Sequence, residues 1–176
     1  MPSLTETVAT VDPGLLVGAT DWCTYPPALD VSRVRGTKNP SVHRIIELAP
    51  DLVVANMEEN REIDVRRLSD AGIPVWVTRT DTVPGAIASM RRMFEQAFGW
   101  DVPAWLEQVS ELWGKPVPVD GSLNGPRVAV CIWRDPWMTV AQDTYIARML
   151  AEVGWHTWPP VEGGASGAAR YPVVTG

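Results

Sequence analysis

GTKNPSVHRIIELAPDLVVANMEEN, residues 36–60, is the stretch whose reading decides the fold. Gly36 and Thr37 open a turn. Asn39 is placed to cap a helix with Pro40 at its first position, where a missing N–H costs nothing. Val42, Ile45, Ile46 and Ala49 recur at helical spacing and give that helix one apolar face. Pro50 and Asp51 end it, because a proline disfavours helical geometry in the residue before it. Leu52-Val53-Val54-Ala55 is a continuous apolar run, the mark of a strand covered on both faces. Asn56-Met57-Glu58-Glu59-Asn60 then leaves the strand at its carboxyl end, where open α/β sheets place ligands.

The pattern continues on both sides. Upstream, Ser3 with Glu6 forms a capping-box pattern that predicts a helix from about Leu4 to Val11, broken at Pro13-Gly14. Leu15 to Gly18 is expected as a short buried strand. Asp21-Trp22-Cys23-Thr24-Tyr25-Pro26-Pro27 follows as an irregular loop, a candidate pocket wall or a loop simply anchored by its aromatics. Residues 28–35 read as extended. Downstream, Arg61 to Ala71 is an amphipathic helix with Ile63, Val65 and Leu68 turned inward, and Gly72 stands at its C′ position. Ile73 to Val77 is the next strand, with Pro74 at its start. Helix–strand–helix–strand over residues 37–78 implies parallel strands and right-handed winding.

Asp81 or Thr82 starts a long helical stretch through Phe98. Gly99 interrupts it, and Val102 to Trp113 resumes it, giving a near-continuous spine suited to joining two lobes. Lys115 to Pro126 reads as a surface linker. Arg127 to Trp133 restarts the β pattern as a buried strand, and Arg134-Asp135-Pro136-Trp137-Met138 is the loop at its end. Asp143 caps a helix from Thr144 to Val153 with Ile146, Met149 and Leu150 inward, ended by Gly154. The tail, 155–176, is rich in Gly, Pro and Ala and has no periodicity. The organisation expected is therefore an N-terminal α/β lobe over 1–80, linking helices over 81–114, and a partial C-terminal α/β lobe over 115–176.

The bulk properties exclude several classes. A chain of 176 residues with 45% apolar and 20% charged residues is an ordinary globular composition. A net charge of −6 argues against a general nucleic-acid binder, which needs a basic face. No run approaches the roughly 18 apolar residues of a membrane span, so no membrane insertion is expected. The start, MPSLTETVATVDPG, lacks the basic and apolar regions of a signal peptide, so the chain as encoded is expected in the cytoplasm. Cys23 and Cys131 are far apart and read as two buried free thiols. Nine tryptophans are the compositional outlier, serving either as core filler or as pocket and interface walls.

Catalytic chemistry finds little support. His43 and His156 are the only histidines, and no HExxH, GxSxG or Walker-type loop occurs. His43 reads as solvated or packed on its helix. A metal site would need ligands the chain hardly supplies, so neither a metal nor a covalently bound cofactor is expected. Glu58, Glu59 and Glu62 cluster at a helix start, where acids serve the macrodipole. Glu62 stands apart because it can project from the first turn towards a partner. No nucleophile–base pair is visible, and the chain is read as a binding protein, not an enzyme.

GTKNPSVHRIIELAPDLVVAN, the AGIPVWVT strand, the long helix after it, PSLTETV and the DWCTYPP loop together resemble the BtuF-like family. These are cobalamin- and ferric-siderophore-binding proteins of ABC importers, in the helical-backbone metal-receptor superfamily. RVAVCIWRDPWMTVAQDTYIARMLAEVGW is similar to the start of that family's second lobe. The resemblance implies two Rossmann-like lobes with parallel sheets joined by a long helix, the class III periplasmic-binding-protein type, with the ligand in the cleft between them. It also implies that Trp22 and Tyr25 line the cleft from the first loop. Asn56 and Met57 then stand where cobalamin-binding members carry an aromatic. Trp137, Met138 and Tyr171 contribute from the second lobe, and Glu62 docks on an ABC-transporter permease. The ligand implied is cobalamin, haem or a ferric siderophore. The family normally carries a periplasmic or lipoprotein signal and a fuller second lobe, so a fragment of a longer product is expected. The alternatives are a cytoplasmic corrinoid- or metal-complex-binding sensor, an enzyme-like relative, or a remnant without function.

Overall fold

The computed structural model describes residues 1–113, 125–164 and 167–174. Among them, six strands pair as three two-stranded parallel ladders, with helices in the connections. The chain divides into two compact units. One comprises Met1–Arg79 with Gln96–Gly99, the other Thr80–Glu95 with Trp100–Gly176. The linker expected over Lys115 to Pro126 lies mostly outside the described residues.

The first unit opens with α1 (Pro2–Ala9). Its N-cap is Met1 with no side-chain bond, so the Ser3–Glu6 capping box does not form, and Pro2 starts the helix instead. Leu15 closes a 3-10 turn (Pro13–Leu15), and both Leu15 and Val17 are exposed; the buried strand expected at 15–18 shrinks to β1 (Gly18–Ala19). A Cβ at Gly18 would meet Leu48 Cδ1 at 2.9 Å, so a larger residue here would require the Leu48 side chain to shift. β1 pairs in parallel with β2 (Ser32–Arg33).

The deciding stretch folds much as its pattern dictates, with its caps moved. α2 (Val42–Leu48) is capped by Ser41, whose hydroxyl accepts from Arg44 N, and not by Asn39. Ala49 ends it in left-handed geometry (φ 44°) directly before Pro50, which disfavours helical geometry there. Ile45 is buried, whereas Ile46 is exposed. β3 (Val53–Asn56) pairs in parallel with β4 (Val75–Thr78), Val53 opposite Val75 and Asn56 opposite Thr78.

Between them runs α3 (Glu62–Asp70). Leu68 faces in, but Ile63 faces out; its place on the inner face goes to Asp64, which is buried and ion-paired to Arg61 (2.8 Å) and Arg67 (3.4 Å). Gly72 follows at φ 82°. Its N–H bonds Ser69 O and that of Ile73 bonds Leu68 O, satisfying two terminal carbonyls. Val34, Ile45, Leu68 and Ile73 form the core, flanked by Val42, Leu48, Val53 and Val75. At about 25 cal/mol per Å², burying such side chains is what holds the layers together.

In the second unit α4 (Val83–Arg92) is capped by Thr82, one of the two neighbouring candidates. It runs on through a π-helical turn (Met93–Phe98), and α5 (Ala104–Trp113) follows after Pro103. The stretch is therefore two helices packed on each other, not one rod. Arg91 clamps Glu107 of α5 through two bonds of 2.8 and 2.6 Å, and this pairing holds the Glu107 carboxyl below its ordinary pKa. Beneath it Phe94 lies buried against Trp100 and Trp105, at ring-centroid distances of 6.0 and 6.4 Å.

β5 (Arg127–Val128) is shorter than expected; Ile132 and Trp133 are exposed because the chain turns back there into a hairpin. Exposed Cys131 likewise departs from the buried-thiol expectation, which Cys23 fulfils. α6 (Tyr145–Ala151) is capped by Thr144, not Asp143, and buries Ala147, while Met149 is exposed. β6 (His156–Thr157) then pairs in parallel with β5. Among its described residues the tail, without periodicity in the sequence, holds β6, a 3-10 turn (Ala168–Arg170) and a bridged segment, since Met138 pairs antiparallel with Val173.

Candidate functional site

In the first unit three loops leave the carboxyl ends of β1, β2 and β3, and hydrogen bonds brace them together. Asp21 Oδ1 accepts from Arg35 N (3.1 Å), and Asp21 N donates back to Arg35 O (3.0 Å). Thr37 Oγ1 donates to Glu59 Oε2 (3.1 Å), Lys38 donates to Glu58 O, and Asn60 Nδ2 donates to Thr37 O (3.0 Å). The rim is continuous from loop to loop. Arg33 holds the first loop from beneath, its Nη1 donating to Cys23 O (2.8 Å) and its Nη2 to Leu29 O (3.3 Å).

On this rim Trp22 is 75% exposed and Tyr25 58% exposed. Aromatic rings held so far out of a core are available for contact. Cys23, between them, anchors the loop from below. It is fully buried, receives a bond from Thr5 Oγ1 (3.1 Å) and shares one with Thr20 (3.0 Å). Burial pushes its thiol pKa up, but these hydroxyls and the N-terminal charge outweigh that and lower it.

Asn56 and Met57 are placed differently from one another. Asn56 is 5% exposed and spends its amide inside the loop. Nδ2 donates to Thr78 Oγ1 (3.3 Å), while Oδ1 accepts from Glu58 N (3.0 Å) and Glu59 N (3.3 Å). It shapes the turn, and Met57, half exposed, is the side chain the turn presents. Glu62 stands in the first turn of α3, largely exposed and 2.5 Å from Arg66 one turn on. His43 is exposed and 3.4 Å from Glu47, the solvated reading.

In the second unit Trp133 and Met138 bridge antiparallel and close a hairpin whose tip is 134–137. Val174 N donates to Trp137 O (2.8 Å) and Thr139 N to Pro172 O (3.0 Å), so the tail docks along the hairpin's outgoing arm. This brings Trp137, Met138 and Tyr171 into one neighbourhood. Alternation places Met138 and Tyr171 on one face of the paired segments and Trp137 on the other. Asp143 and Arg170 fasten the tail. Asp143 Oδ1 accepts from Gly163 N (2.9 Å), and Arg170, 3% exposed, donates to Gly164 O (2.7 Å) and lies 3.9 Å from Asp143. Among the described residues no group of three His, Cys, Asp or Glu could hold a metal ion, and no helix is long and apolar enough to cross a membrane.

Arg33, Asp21, Thr37 and Asn60 were not singled out by pattern. Each makes a bond to a partner 10 to 23 residues away, and no local spacing announces such bonds.

The class of protein these ladders define is α/β, and comparison places it among periplasmic binding folds. No protein-family profile matches the chain. The chain is similar to BtuF-like substrate-binding proteins. It is 29% identical over 79 residues to the vitamin B12-binding protein of Vibrio campbellii, a match covering 44% of this chain and 29% of that one. The same protein of Pectobacterium carotovorum matches at 29% over 79 residues, again 29% of its length, so well under two thirds of these relatives is spanned. Among solved structures, the periplasmic vitamin B12-binding protein BtuF of Vibrio cholerae superposes with TM-score 0.73 at 20% identity, covering 99% of this chain and 68% of that one. The periplasmic heme-binding protein RhuT of a Roseiflexus species gives TM-score 0.70 at 19% identity, with the same coverages. These structural likenesses carry the fold.

Proposed function

We propose that the chain is the substrate-binding component of an ABC importer and holds a corrinoid, haem or ferric-siderophore-type ligand without transforming it. The first compact unit then corresponds to the N-terminal Rossmann-like lobe, and the second holds the linking helices and the partial C-terminal lobe. The observation that carries this reading is the braced rim of the first unit. Trp22 and Tyr25 project from it at the carboxyl ends of parallel strands, the usual place for ligands in open α/β sheets. Similarity to vitamin B12-binding relatives supports the ligand class. Met57 adds an adaptable apolar contact, with Asn56 holding its loop. From the second unit the exposed Trp137 serves, with Met138 and Tyr171 on the opposite face of its hairpin. Glu62, exposed on α3, is the residue proposed to meet arginines of a permease.

The test is a titration of the protein's tryptophan fluorescence with cyanocobalamin, haemin and a ferric siderophore. Saturable quenching by one of them, weakened several-fold in Trp22→Ala and Tyr25→Ala, is expected. Quenching by none of the three overturns the reading. Glu62→Lys is expected to leave that titration unchanged and to weaken capture of the protein by permease-containing membranes.

A further inference from the structure

The loop that carries Trp22 and Tyr25 is not held by its own rings. Both stand largely out of the fold, and residues 20–31, between β1 and β2, lie in neither helix nor strand. Rings so exposed bury too little apolar surface to offset the entropy of fixing a backbone. The backbone is fixed instead by Arg33 of β2, which sends its guanidinium back under the loop. Nη1 donates to Cys23 O (2.8 Å) and Thr20 O (3.3 Å), and Nη2 donates to Leu29 O (3.3 Å). These acceptors bracket the aromatic pair, with Trp22 between Thr20 and Cys23 and Tyr25 between Cys23 and Leu29. Carbonyl oxygens turned towards one point repel each other unless donors lie between them. Guanidinium supplies several donors in a rigid fork and serves all three at once. A second anchor is independent of it. Cys23 and Leu29 are buried, and Thr5 Oγ1 of α1 donates to Cys23 Sγ (3.1 Å). Loss of Arg33 therefore frees the loop backbone while those buried side chains still tie the loop to the unit.

We infer that Arg33 is a positioning residue: it presets the loop that presents Trp22 and Tyr25, and acts on the ligand only through that loop. The inference rests on the proposed reading as a binding protein and deepens it. A loop that must be ordered at the moment of binding takes the cost of ordering out of the affinity. Where only a fraction of molecules holds the competent loop, the apparent Kd rises by the inverse of that fraction. Loss of Arg33 then appears as slower association, with dissociation little changed, because the loop reaches the same conformation once bound. A side chain that touches the ligand behaves in the opposite way, since losing a contact chiefly speeds dissociation.

The experiment uses the full chain labelled with fluorotryptophan, as wild type, Arg33→Ala and Arg33→Lys. The fluorine resonance of Trp22 is assigned from its absence in Trp22→Phe. Rates of association and dissociation of haemin, cyanocobalamin and ferrichrome are followed by stopped-flow tryptophan quenching. In Arg33→Ala the Trp22 resonance should shift or broaden while those of the other tryptophans stay in place. Association of whichever probe wild type binds should slow about fivefold or more, with dissociation within about twofold of wild type. Arg33→Lys offers a point donor in place of the fork and should fall between on both readouts. The inference needs both changes, so an unmoved Trp22 resonance or an unaltered association rate overturns it. Faster dissociation at an unaltered association rate overturns it too, and makes Arg33 a ligand contact. Displacement of all nine tryptophan resonances with a lowered melting temperature makes Arg33 a general structural residue and equally overturns it. Binding that is indifferent to Arg33 removes this inference alone, whereas a wild type that binds none of the three probes removes the proposed function and the inference with it.

Discussion

At the scale of single residues, the polar side chains in this chain do more architecture than their exposure in the sequence suggests. Asn56 is the clearest case. Its amide both donates across to Thr78 and accepts two backbone N–H groups of the loop it begins, all within a buried turn. Asn56→Ala removes these three bonds from a buried turn and should lower unfolding free energy by about 1–3 kcal/mol, read from urea denaturation. Asp143 makes a pH-dependent contribution. Burial alone would raise its carboxyl pKa, but the Gly163 and Gly164 N–H groups and the Arg170 charge outweigh that and lower it. A carboxyl whose folded pKa lies below its unfolded value of about 3.9 stabilises above that pH, and the stabilisation is lost as pH falls through the folded value. The melting temperature of wild type should therefore exceed that of Asp143→Asn at pH 7, and the gap should close below about pH 4. Neither role was legible beforehand. Asn56 looked like a ligand contact and Asp143 like a helix cap, because the partners that claim them, Thr78 and Gly163, are 22 and 20 residues away.

At the scale of elements, the parts that were legible are those determined by local chemistry. Thr82, one of two adjacent candidates in the sequence, caps α4, and β3 and β4 are parallel because a helix connects them. Helix ends were legible too. Gly154 repeats at the end of α6 what Gly72 does after α3: its N–H bonds the carbonyl three residues back, Ala151, and the next N–H, of Trp155, bonds Leu150. Both glycines sit at positive φ, 82° and 76°, and a Cβ at either would meet nothing within 4 Å. Substitution by alanine is therefore opposed by backbone conformation alone. Gly72→Ala and Gly154→Ala should each cost about 1–2 kcal/mol, and the asparagine variants less, by thermal or urea unfolding. Faces and strand lengths were less legible. Ile63 and Met149 fit apolar stripes yet face solvent, since α3 and α6 are short and bury only Asp64 with Leu68 and Ala147 respectively. The apolar run ending in Trp133 reads as a strand, but it turns into a hairpin because Ile132 N finds Met138 O.

At the scale of the whole molecule, exposed aromatics complicate any assay of binding. Trp22, Trp133, Trp137, Trp155 and Trp158 are all at least 40% exposed, and a flat apolar ligand can stack on such rings in an unfolded chain as well. Quenching alone does not separate the two. Linkage does, because a ligand that binds the folded chain alone stabilises it by RT ln(1 + [L]/Kd), while one that prefers the unfolded chain destabilises it. At a hundredfold excess over Kd the stabilisation is about 2.7 kcal/mol. For a chain of this size each kcal/mol moves the melting temperature by about 2–4 °C, so the expected rise is roughly 5–11 °C. The rise should continue logarithmically as ligand is added past saturation of the folded site. Trp22→Ala should displace that curve towards higher ligand concentration without changing the melting temperature of the free protein, because the ring is exposed. A melting temperature that falls with added ligand, while fluorescence is quenched, would assign the quenching to the unfolded chain and remove the site from the braced rim.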